Sequence, residues 1–325
     1  VSLAIDSSSP SYSLAAGGQT GVTMGAYRLR SSNDSVNLTQ LGLKLTAGSA
    51  ASLTTVYIYD GATLVGTASF LGGNTFATST FSAPVTLTAN VDKILTIRAD
   101  LADIGPSAAG IEGALVKIDP SSLEGNASSG LVQTGGTTGV AGVRVFNTYP
   151  TVSLDAPAGF STGVADGKLM RFKVTASSFD QVGIGEFTFK VSTTSATVTT
   201  IQLFGYTDAS YSQAISGQGT SGKIGEDVAT AVNGTEFVIA PNSNPVRVPA
   251  GQTYYFELRA SVAGVQSGSS VVTALMGDAS ASETGLSAGN YTSAFNTSIG
   301  KFIWSPNATT TAATTSGNDW TNGYG

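Results

Sequence analysis

The chain opens with Val1-Ser2-Leu3-Ala4-Ile5-Asp6, in which apolar residues alternate with small or polar ones. Because successive side chains of a strand point to opposite faces, this alternation predicts a β-strand with one apolar stripe. A closely similar stretch, Val152-Ser153-Leu154-Asp155, returns in the middle of the chain. The repeated opening strand predicts two copies of one β domain.

Further blocks repeat in the same order along the two halves. Leu41-Gly42-Leu43-Lys44-Leu45 is matched by Phe187-Thr188-Phe189-Lys190-Val191. Leu53-Thr54-Thr55-Val56 is matched by Val198-Thr199-Thr200-Ile201. Because these blocks agree in residue type, alternation and order, they indicate a duplication. The spacing between matched blocks grows after them, so we expect the second copy to carry an insertion near 206–236.

The two copies also end on similar apolar blocks. Val143-Arg144-Val145-Phe146 corresponds to Lys301-Phe302-Ile303-Trp304, and we expect each block to form the equivalent late strand. The first block leads through Asn147-Thr148-Tyr149-Pro150 directly into Val152. Since proline fixes φ, this short stretch predicts a stiff connection. We therefore expect two domains stacked end to end as a rod.

The predicted fold is all-β, with two tandem immunoglobulin-like antiparallel β-sandwiches. Short alternating stretches are separated by turn residues such as Asp60-Gly61, which is a hairpin signal. At 325 residues the chain is long enough for two cores. We expect the first sandwich over 1–150, the second over 151–304, and a Thr-rich C-terminal tail over 305–325.

Composition restricts the chemistry that the chain can perform. It has no Cys and no His, which excludes thiol nucleophiles, disulfides, Ser–His triads and His-ligated metals. Acidic residues are sparse and do not cluster, so we expect no enzyme activity, no catalytic residue, no cofactor and no metal. The net charge of −6 argues against a nucleic-acid partner. We expect no membrane span, and the start at Val1 predicts a mature, exported product.

Two sets of side chains allow either a binding or a structural interpretation. Basic residues recur at matched strand positions, where they form a ligand stripe or keep the sheet soluble. The matched pairs are Arg28 with Lys173, Lys44 with Lys190, and Arg98 with Arg259. Aromatic residues line a carbohydrate platform or pack in cores and joints. They are Trp304, Trp320, Tyr206, Tyr211 and Tyr324.

Asn-x-Ser/Thr sequons mark possible sites of N-glycosylation. We name Asn37, Asn126, Asn233, Asn290, Asn296 and Asn307 as candidates, and a further sequon begins at Asn33. In an exported protein such residues carry glycans, or they serve as ordinary turn residues. Covalent glycans are therefore the non-protein groups that the sequence allows.

The opening strand predicts contact between copies. A strand edge with unpaired N–H and C=O groups is a template for a strand of another chain, and a head-to-tail contact of this kind builds a filament. We expect Val1, Leu3 and Ile5 to form the subunit joint. Trp304, Trp320 and Tyr324 are further interface candidates from the opposite end of the chain.

A Cys-free chain that is rich in Ser, Thr, Gly and Ala and has two such sandwiches resembles bacterial cell-surface and pilus-like filament subunits. The resemblance implies an extracellular homopolymer joined head to tail, in many cases by a donated terminal β-strand. The opening strand is shorter than the donated strands of that group. The alternative is a monomeric carbohydrate-binding or adhesin module of a larger surface protein.

Overall fold

The computed structural model describes residues 1–156, 167–242, 244–277, 301–307 and 320–322. These residues form β-strands and connecting turns, with two single-turn 3-10 helices at Ala50–Ser52 and Thr220–Gly222, which confirms the predicted all-β fold. The chain divides into two compact units, Val1–Asn147 and Thr148–Gly325. Within the described ranges, no helix is long and apolar enough to cross a membrane.

The first unit contains eleven strands in two sheets. They are β1 (Ser2–Ile5), β2 (Ser13–Ala16), β3 (Val22–Arg30), β4 (Val36–Ala47), β5 (Leu53–Asp60), β6 (Thr63–Ala68), β7 (Phe76–Leu87), β8 (Asp92–Leu101), β9 (Ala114–Ala127), β10 (Gly130–Gly135) and β11 (Val143–Phe146). One sheet has the order β1-β3-β8-β5-β6, and the other has β2-β11-β9-β4-β7 with β10 also on β9. All pairs are antiparallel except β2 with β11.

The second unit repeats this plan with a different ending. Its described strands are β12 (Pro150–Leu154), β13 (Lys168–Ala176), β14 (Val182–Thr194), β15 (Thr197–Tyr206), β16 (Lys223–Thr230), β17 (Glu236–Ile239), β18 (Val246–Val248), β19 (Thr253–Ala263), β20 (Ser270–Met276), β21 (Phe302–Ser305) and β22 (Thr321–Asn322). One sheet has the order β12-β13-β19-β15-β16. The other has β17-β14-β21-β22, with β18 and β20 also on β14.

The inner faces of the sheets form the core of each unit. In the first unit Ile58 lies opposite Ile97 on β5 and β8, and both are fully buried. Leu203 and Leu258 form the corresponding pair on β15 and β19. The matched residues of β5 with β8 and of β15 with β19 therefore pair in the same register in both units. Each fully buried side chain of this size contributes about 1.5–3 kcal/mol through its removal from water.

The opening strands β1 and β12 take equivalent places in their sheets. The residues that correspond in the structure differ by two positions from those matched in the sequence. Leu3 lies opposite Leu29 on β3, whereas Val152 lies opposite Val174 on β13. Since Leu29 and Val174 are matched positions, Leu3 corresponds to Val152 and not to Leu154. A shift of two residues preserves the alternation of a strand, so the sequence pattern does not detect it.

The late strands of the second unit differ from the prediction more strongly. We expected Lys301-Phe302-Ile303-Trp304 to be the counterpart of β11, which pairs with β9. Instead, β21 pairs directly with β14, where Phe302 lies opposite Phe187. Leu123 of β9 lies opposite Leu41 in the first unit, so β21 occupies the position of the second half of β9. β20 occupies the position of the first half of β9.

The C-terminal stretch was predicted to be a separate tail, but part of it is a strand of the second unit. Ile303 pairs with Asn322, so β22 joins the sheet of the second unit beside β21. This is the position that β10 takes beside β9 in the first unit. The predicted insertion corresponds in part to residues 207–222, which connect β15 to β16, whereas β5 and β6 are joined by a tight turn.

Candidate functional site

The opening strand β1 is an edge strand of its own unit. It pairs with β3 over Ser2–Ile5, and no other strand of the described chain pairs with it. Ser2 and Ala4 are exposed, while Leu3 and Ile5 are only half-buried. Within one chain, β1 is therefore held by its backbone hydrogen bonds to β3 and by the partial burial of Leu3 and Ile5.

The end of β10 and the connection from β10 to β11 cover β1 in the first unit. The Thr134 hydroxyl donates a hydrogen bond to the Val1 carbonyl over 3.3 Å. A Cβ atom on Gly139 would lie 3.5 Å from Ile5 Cδ1, so the backbone passes directly over that side chain. Val140, which follows, is buried. This segment and β11 together close the edge of the sandwich.

A buried polar group fixes this closing segment. The Tyr27 hydroxyl donates to the Ile118 carbonyl over 2.8 Å and to Asp119 Oδ1 over 3.3 Å. The Val140 N–H donates to the same carboxylate oxygen over 3.4 Å, and Thr46 donates to Oδ2. Burial, followed by the nearby Asp119 charge, raises the pKa of the Tyr27 phenol far above its usual value.

The corresponding edge of the second unit is open among the described residues. The position of β10 is taken by β22, but no described strand occupies the position of β11. Whereas β9 is paired with β4 on one side and with β11 on the other, β20 pairs only with β14 in the described part. Within the described ranges, the outer edge of β20 therefore carries no strand equivalent to β11.

An apolar groove of about 330 Å³ lies between β12 and β20, and we call it the open groove. Its lining includes Val152, Leu154, Met170, Phe172, Ala274 and Leu275. Leu154 is 73% exposed, which is the largest exposed fraction among the large apolar side chains of the described chain. Sequence reasoning did not find this groove, because its lining residues come from three strands that only the folded unit brings together.

The tryptophans are core residues of the second unit, which corrects their predicted place at a subunit interface. Trp304 and Trp320 are both 0% exposed, so neither ring can contact another chain. Tyr206 and Tyr211 are also buried, so these four rings do not form an exposed carbohydrate platform. Tyr324 lies outside the described residues.

Tyr206 and Tyr211 belong instead to a polar cluster on the outer face of the β13–β19 sheet. The Glu257 carboxylate is fully buried and forms ion pairs with both Arg171 and Arg259. The Arg171 guanidinium lies 3.8 Å from the centre of the Tyr211 ring, and Arg259 donates to the Tyr206 hydroxyl over 2.7 Å. The cluster fastens the connection between β15 and β16 to the sheet.

Asp208 shapes the backbone of that connection. Its carboxylate accepts hydrogen bonds from the N–H groups of Ser210, Ser212 and Gln213. The Ser210 hydroxyl also donates to this carboxylate and has the largest effect on its pKa. Together these hydrogen bonds hold the pKa of Asp208 well below its usual value. Tyr211 follows with a φ of 58°, which turns the chain back towards the sheet.

The matched basic residues pack on neighbouring side chains. Arg98 lies 5.0 Å from the centre of the Tyr59 ring, and Arg259 lies 4.5 Å from that of Phe204. Tyr59 and Phe204 hold equivalent places on β5 and β15, so both units contain the same cation–π contact. In the first unit, Lys44 lies 5.3 Å from the Phe76 ring.

The sequons fall in different environments. Asn37 and Asn126 are exposed and lie directly opposite each other on β4 and β9. Asn233 is exposed in a turn, where its Oδ1 accepts the Thr193 N–H. Asn307 is buried, and its Nδ2 donates to the Gln181 carbonyl, so the prediction of a glycan there is wrong. Asn290 and Asn296 lie outside the described residues.

The described ranges contain no group of three or more Asp or Glu side chains that could hold a metal ion.

Comparison with known proteins gives only distant structural likenesses. No protein-family model and no curated protein matches the chain. The C-terminal domain of the AgI/II polypeptide BspA of Streptococcus agalactiae is 9% identical, with a TM-score of 0.22, and 82% of this chain and 91% of that chain are covered. The CsuC–CsuE chaperone–tip adhesion subunit complex of Acinetobacter baumannii Csu pili is 12% identical, with a TM-score of 0.23 and coverage of 84% and 99%. Such low scores carry no argument about function.

Proposed function

We propose that this chain is a structural subunit of an extracellular filament, in which copies join head to tail as a homopolymer. The observation that carries the proposal is the equivalence of β1 and β12. In the described chain β1 is an edge strand that pairs with β3, and β12 is an edge strand that pairs with the equivalent strand, β13. An equivalent backbone hydrogen bond follows each strand: the Asp6 N–H donates to the Ala26 carbonyl, and the Asp155 N–H donates to the Arg171 carbonyl. Each unit therefore begins in the same way.

Within the chain, the last strand of the first unit is followed closely in sequence by the first strand of the second unit. Only Asn147, Thr148 and Tyr149 separate β11 at the end of the first unit from β12 at the start of the second. A homopolymer repeats this succession between copies without a covalent link. We propose that the link is β1, which leaves β3 and is donated to the next copy, since main-chain pairing supplies affinity in strand addition.

The proposed role requires no catalytic residue, cofactor or metal, and the proposed location is the cell surface. A chain without Cys does not depend on a disulfide for its stability, so each unit relies on its sandwich core. Ser and Thr at solvent-facing positions keep the surface polar, although only 11% of the residues are charged.

Negative-stain electron microscopy of the concentrated full chain tests the filament. Because the chain has no Cys, the variant Leu3→Cys/Leu29→Cys places two thiols directly opposite each other and can lock β1 onto β3. We expect filaments from the unmodified chain and from the reduced variant, and only monomers from the oxidised variant.

A matched control is Thr175→Cys/Thr253→Cys, in which the two residues also lie opposite each other but join β13 to β19. We expect this disulfide to leave assembly unchanged. An unmodified chain that stays monomeric at high concentration contradicts the filament. Filaments from the oxidised Leu3→Cys/Leu29→Cys variant contradict donation of β1 and leave the filament standing.

A further inference from the structure

We infer that the second unit contains a binding site for a neutral oligosaccharide, in a surface groove that we call the polar groove. Its volume is about 610 Å³, which is within the usual range of small-molecule sites. Its lining consists of three glycines and of Gln218, Thr220, Lys223, Glu226, Asn242 and Asn244. None of these residues lines the open groove, and the inference does not depend on the proposed function.

One wall of the polar groove belongs to a segment that the first unit does not have. Residues 207–222 connect β15 to β16, whereas only Gly61 and Ala62 separate β5 from β6. The facing wall comes from the connection between β17 and β18, which includes Asn242 and Asn244. The groove is therefore a feature of the second unit and not of the sandwich that both units share.

The inserted wall is held in place by contacts with the sheet beneath it. The Tyr211 hydroxyl donates to Asp155 Oδ2 over 2.7 Å, and the Ile215 N–H donates to the Gly205 carbonyl over 3.1 Å. Gly222 has a φ of 78°, and a Cβ atom there would lie 2.4 Å from the Gly205 carbonyl oxygen, so this close contact requires glycine. Because the wall is already ordered, a ligand binds without the entropy cost of fixing it.

The charges of the polar groove oppose each other, which favours a neutral ligand. The Lys223 ammonium forms an ion pair with Asp227 over 2.5 Å, and the Glu226 carboxylate accepts a hydrogen bond from Asn242 Nδ2 over 2.6 Å. Glu226 and Asp227 would repel an anionic ligand. Among the described lining residues Glu226 supplies the single carboxylate, which is too few acidic ligands for a metal ion.

The amides of the polar groove match the hydroxyl groups of a sugar. A primary amide has two N–H donors and a carbonyl acceptor, and each sugar hydroxyl both donates and accepts. Asn242 donates to Glu226, and Gln218 Nε2 donates to the Asn244 main-chain carbonyl over 3.1 Å. These hydrogen bonds orient both side chains and use their N–H groups, so their carbonyl oxygens are available to a ligand hydroxyl.

An adjoining pocket of about 280 Å³ extends the site. It shares Gln218 and Asn244 with the polar groove, and its lining also includes Ile215, Pro245 and Tyr254. One face of a sugar ring carries C–H groups that pack against apolar and aromatic side chains, while its hydroxyl groups need polar partners. A polar pocket beside a partly apolar one therefore fits linked sugar rings better than a single ring.

Saturation-transfer difference NMR on the full chain tests the site, with maltotriose, cellotriose, chitotriose and mannotriose as probes. We expect saturation transfer to at least one of these neutral trisaccharides, and a Kd at least about tenfold higher for the acidic sialyllactose. No transfer to any neutral probe overturns the oligosaccharide site. Tighter binding of sialyllactose contradicts the neutral class of ligand.

The variant Gln218→Ala/Asn242→Ala removes two of the amides. We expect at least about a tenfold rise in the Kd of the bound probe, because each hydrogen bond contributes a factor of roughly 2–10. The matched control is Gln213→Ala, which removes an exposed amide of the same connection that lines neither pocket. We expect no change for the control. Equal affinities of the two variants overturn the assigned site.

Chemical-shift mapping on the unmodified chain locates the probe even where a variant loses its fold. We expect probe-induced shifts in residues 216–226 and at Tyr254, and shifts confined to other segments overturn the site. The fluorescence of the buried Trp304 and Trp320 verifies that the second unit stays folded in both variants.

A neutral oligosaccharide reaches the polar groove from the surroundings or from a glycan on a copy of the chain. Probe affinity before and after enzymatic removal of N-glycans, on chain from a glycosylating host, distinguishes the two sources. A rise on removal supports the site with a glycan of the chain as its occupant, and an unchanged affinity supports it with an external ligand.

This inference and the proposed function fail separately. The NMR measurements apply to monomers and filaments alike, so an absence of probe binding leaves the filament standing. An unmodified chain that binds a probe but stays monomeric contradicts the filament and supports the oligosaccharide site.

Discussion

The Tyr27 hydroxyl donates a hydrogen bond to Asp119 over 3.3 Å inside the first unit, and the equivalent residues of the second unit are Phe172 and Ala274. Asp119 also accepts the N–H of Val140, so the pair holds the segment that closes the sandwich edge. In the second unit the polar pair is absent and the same edge is an apolar groove. The two copies therefore differ at this edge in both residues of the pair.

The first prediction concerns the free energy of unfolding of the first unit. Tyr27→Phe leaves a buried carboxylate with one donor fewer, and we expect a loss of about 1.5–3 kcal/mol. We expect a similar loss for Asp119→Ala. In the double variant the loss should be smaller than the sum by about 1 kcal/mol, because the two residues interact directly. Urea unfolding followed by circular dichroism measures these values.

Tryptophan fluorescence provides the control for that experiment. The two tryptophans of the chain, Trp304 and Trp320, are both buried in the second unit. The fluorescence transition should therefore keep its midpoint in Tyr27→Phe and Asp119→Ala. Losses that add without an interaction between the two sites, or a shifted fluorescence midpoint, would contradict the local role of the pair.

The second prediction is a pH dependence. Because the pKa of Tyr27 is raised in the folded state, the unfolded chain releases this proton near pH 10 while the folded chain retains it. Stability from this group is constant below pH 10 and falls above it by about 1.4 kcal/mol per pH unit. We expect the difference in stability between the unmodified chain and Tyr27→Phe to narrow from pH 10 upwards. A constant difference over pH 8–11 would show that Tyr27 ionises equally in both states.

The third prediction concerns the buried Glu257. Glu257→Gln leaves Arg171 and Arg259 without their shared carboxylate, and removal of one partner of a buried ion pair costs roughly 3–5 kcal/mol. The fluorescence midpoint in urea should fall accordingly. The control Glu236→Gln, in the same unit, removes a pair with Lys301 in which the two side chains are 34% and 42% exposed, and we expect a change below about 1 kcal/mol. Equal losses in the two variants would argue against this account.

The fourth prediction concerns glycans in a host that attaches them to sequons. Directly opposite residues on antiparallel strands have Cβ atoms about 5 Å apart, so Asn37 and Asn126 compete for the same space. We expect at most one of them to be occupied per chain, and no glycan on the buried Asn307. Peptide mapping and intact mass measure occupancy, and Asn126→Gln should raise the occupancy of Asn37. Simultaneous occupancy of both sites would refute the competition.

Sequence alone determined the all-β class and indicated the duplication. These features follow from local alternation and composition, which persist in every matched block, such as Leu41–Leu45 with Phe187–Val191. The rod-like stacking stays a prediction.

Tertiary structure alone decided the pairing of the outer strands. Alternation has a period of two, so it did not distinguish Leu3 from Val1 as the counterpart of Val152. Pairing is also non-local, so the sequence did not indicate that β21 joins β14 while the place beside β20 stays open in the described chain. The open groove exists only because two sheets meet at an edge, and no local pattern of residues specifies that edge.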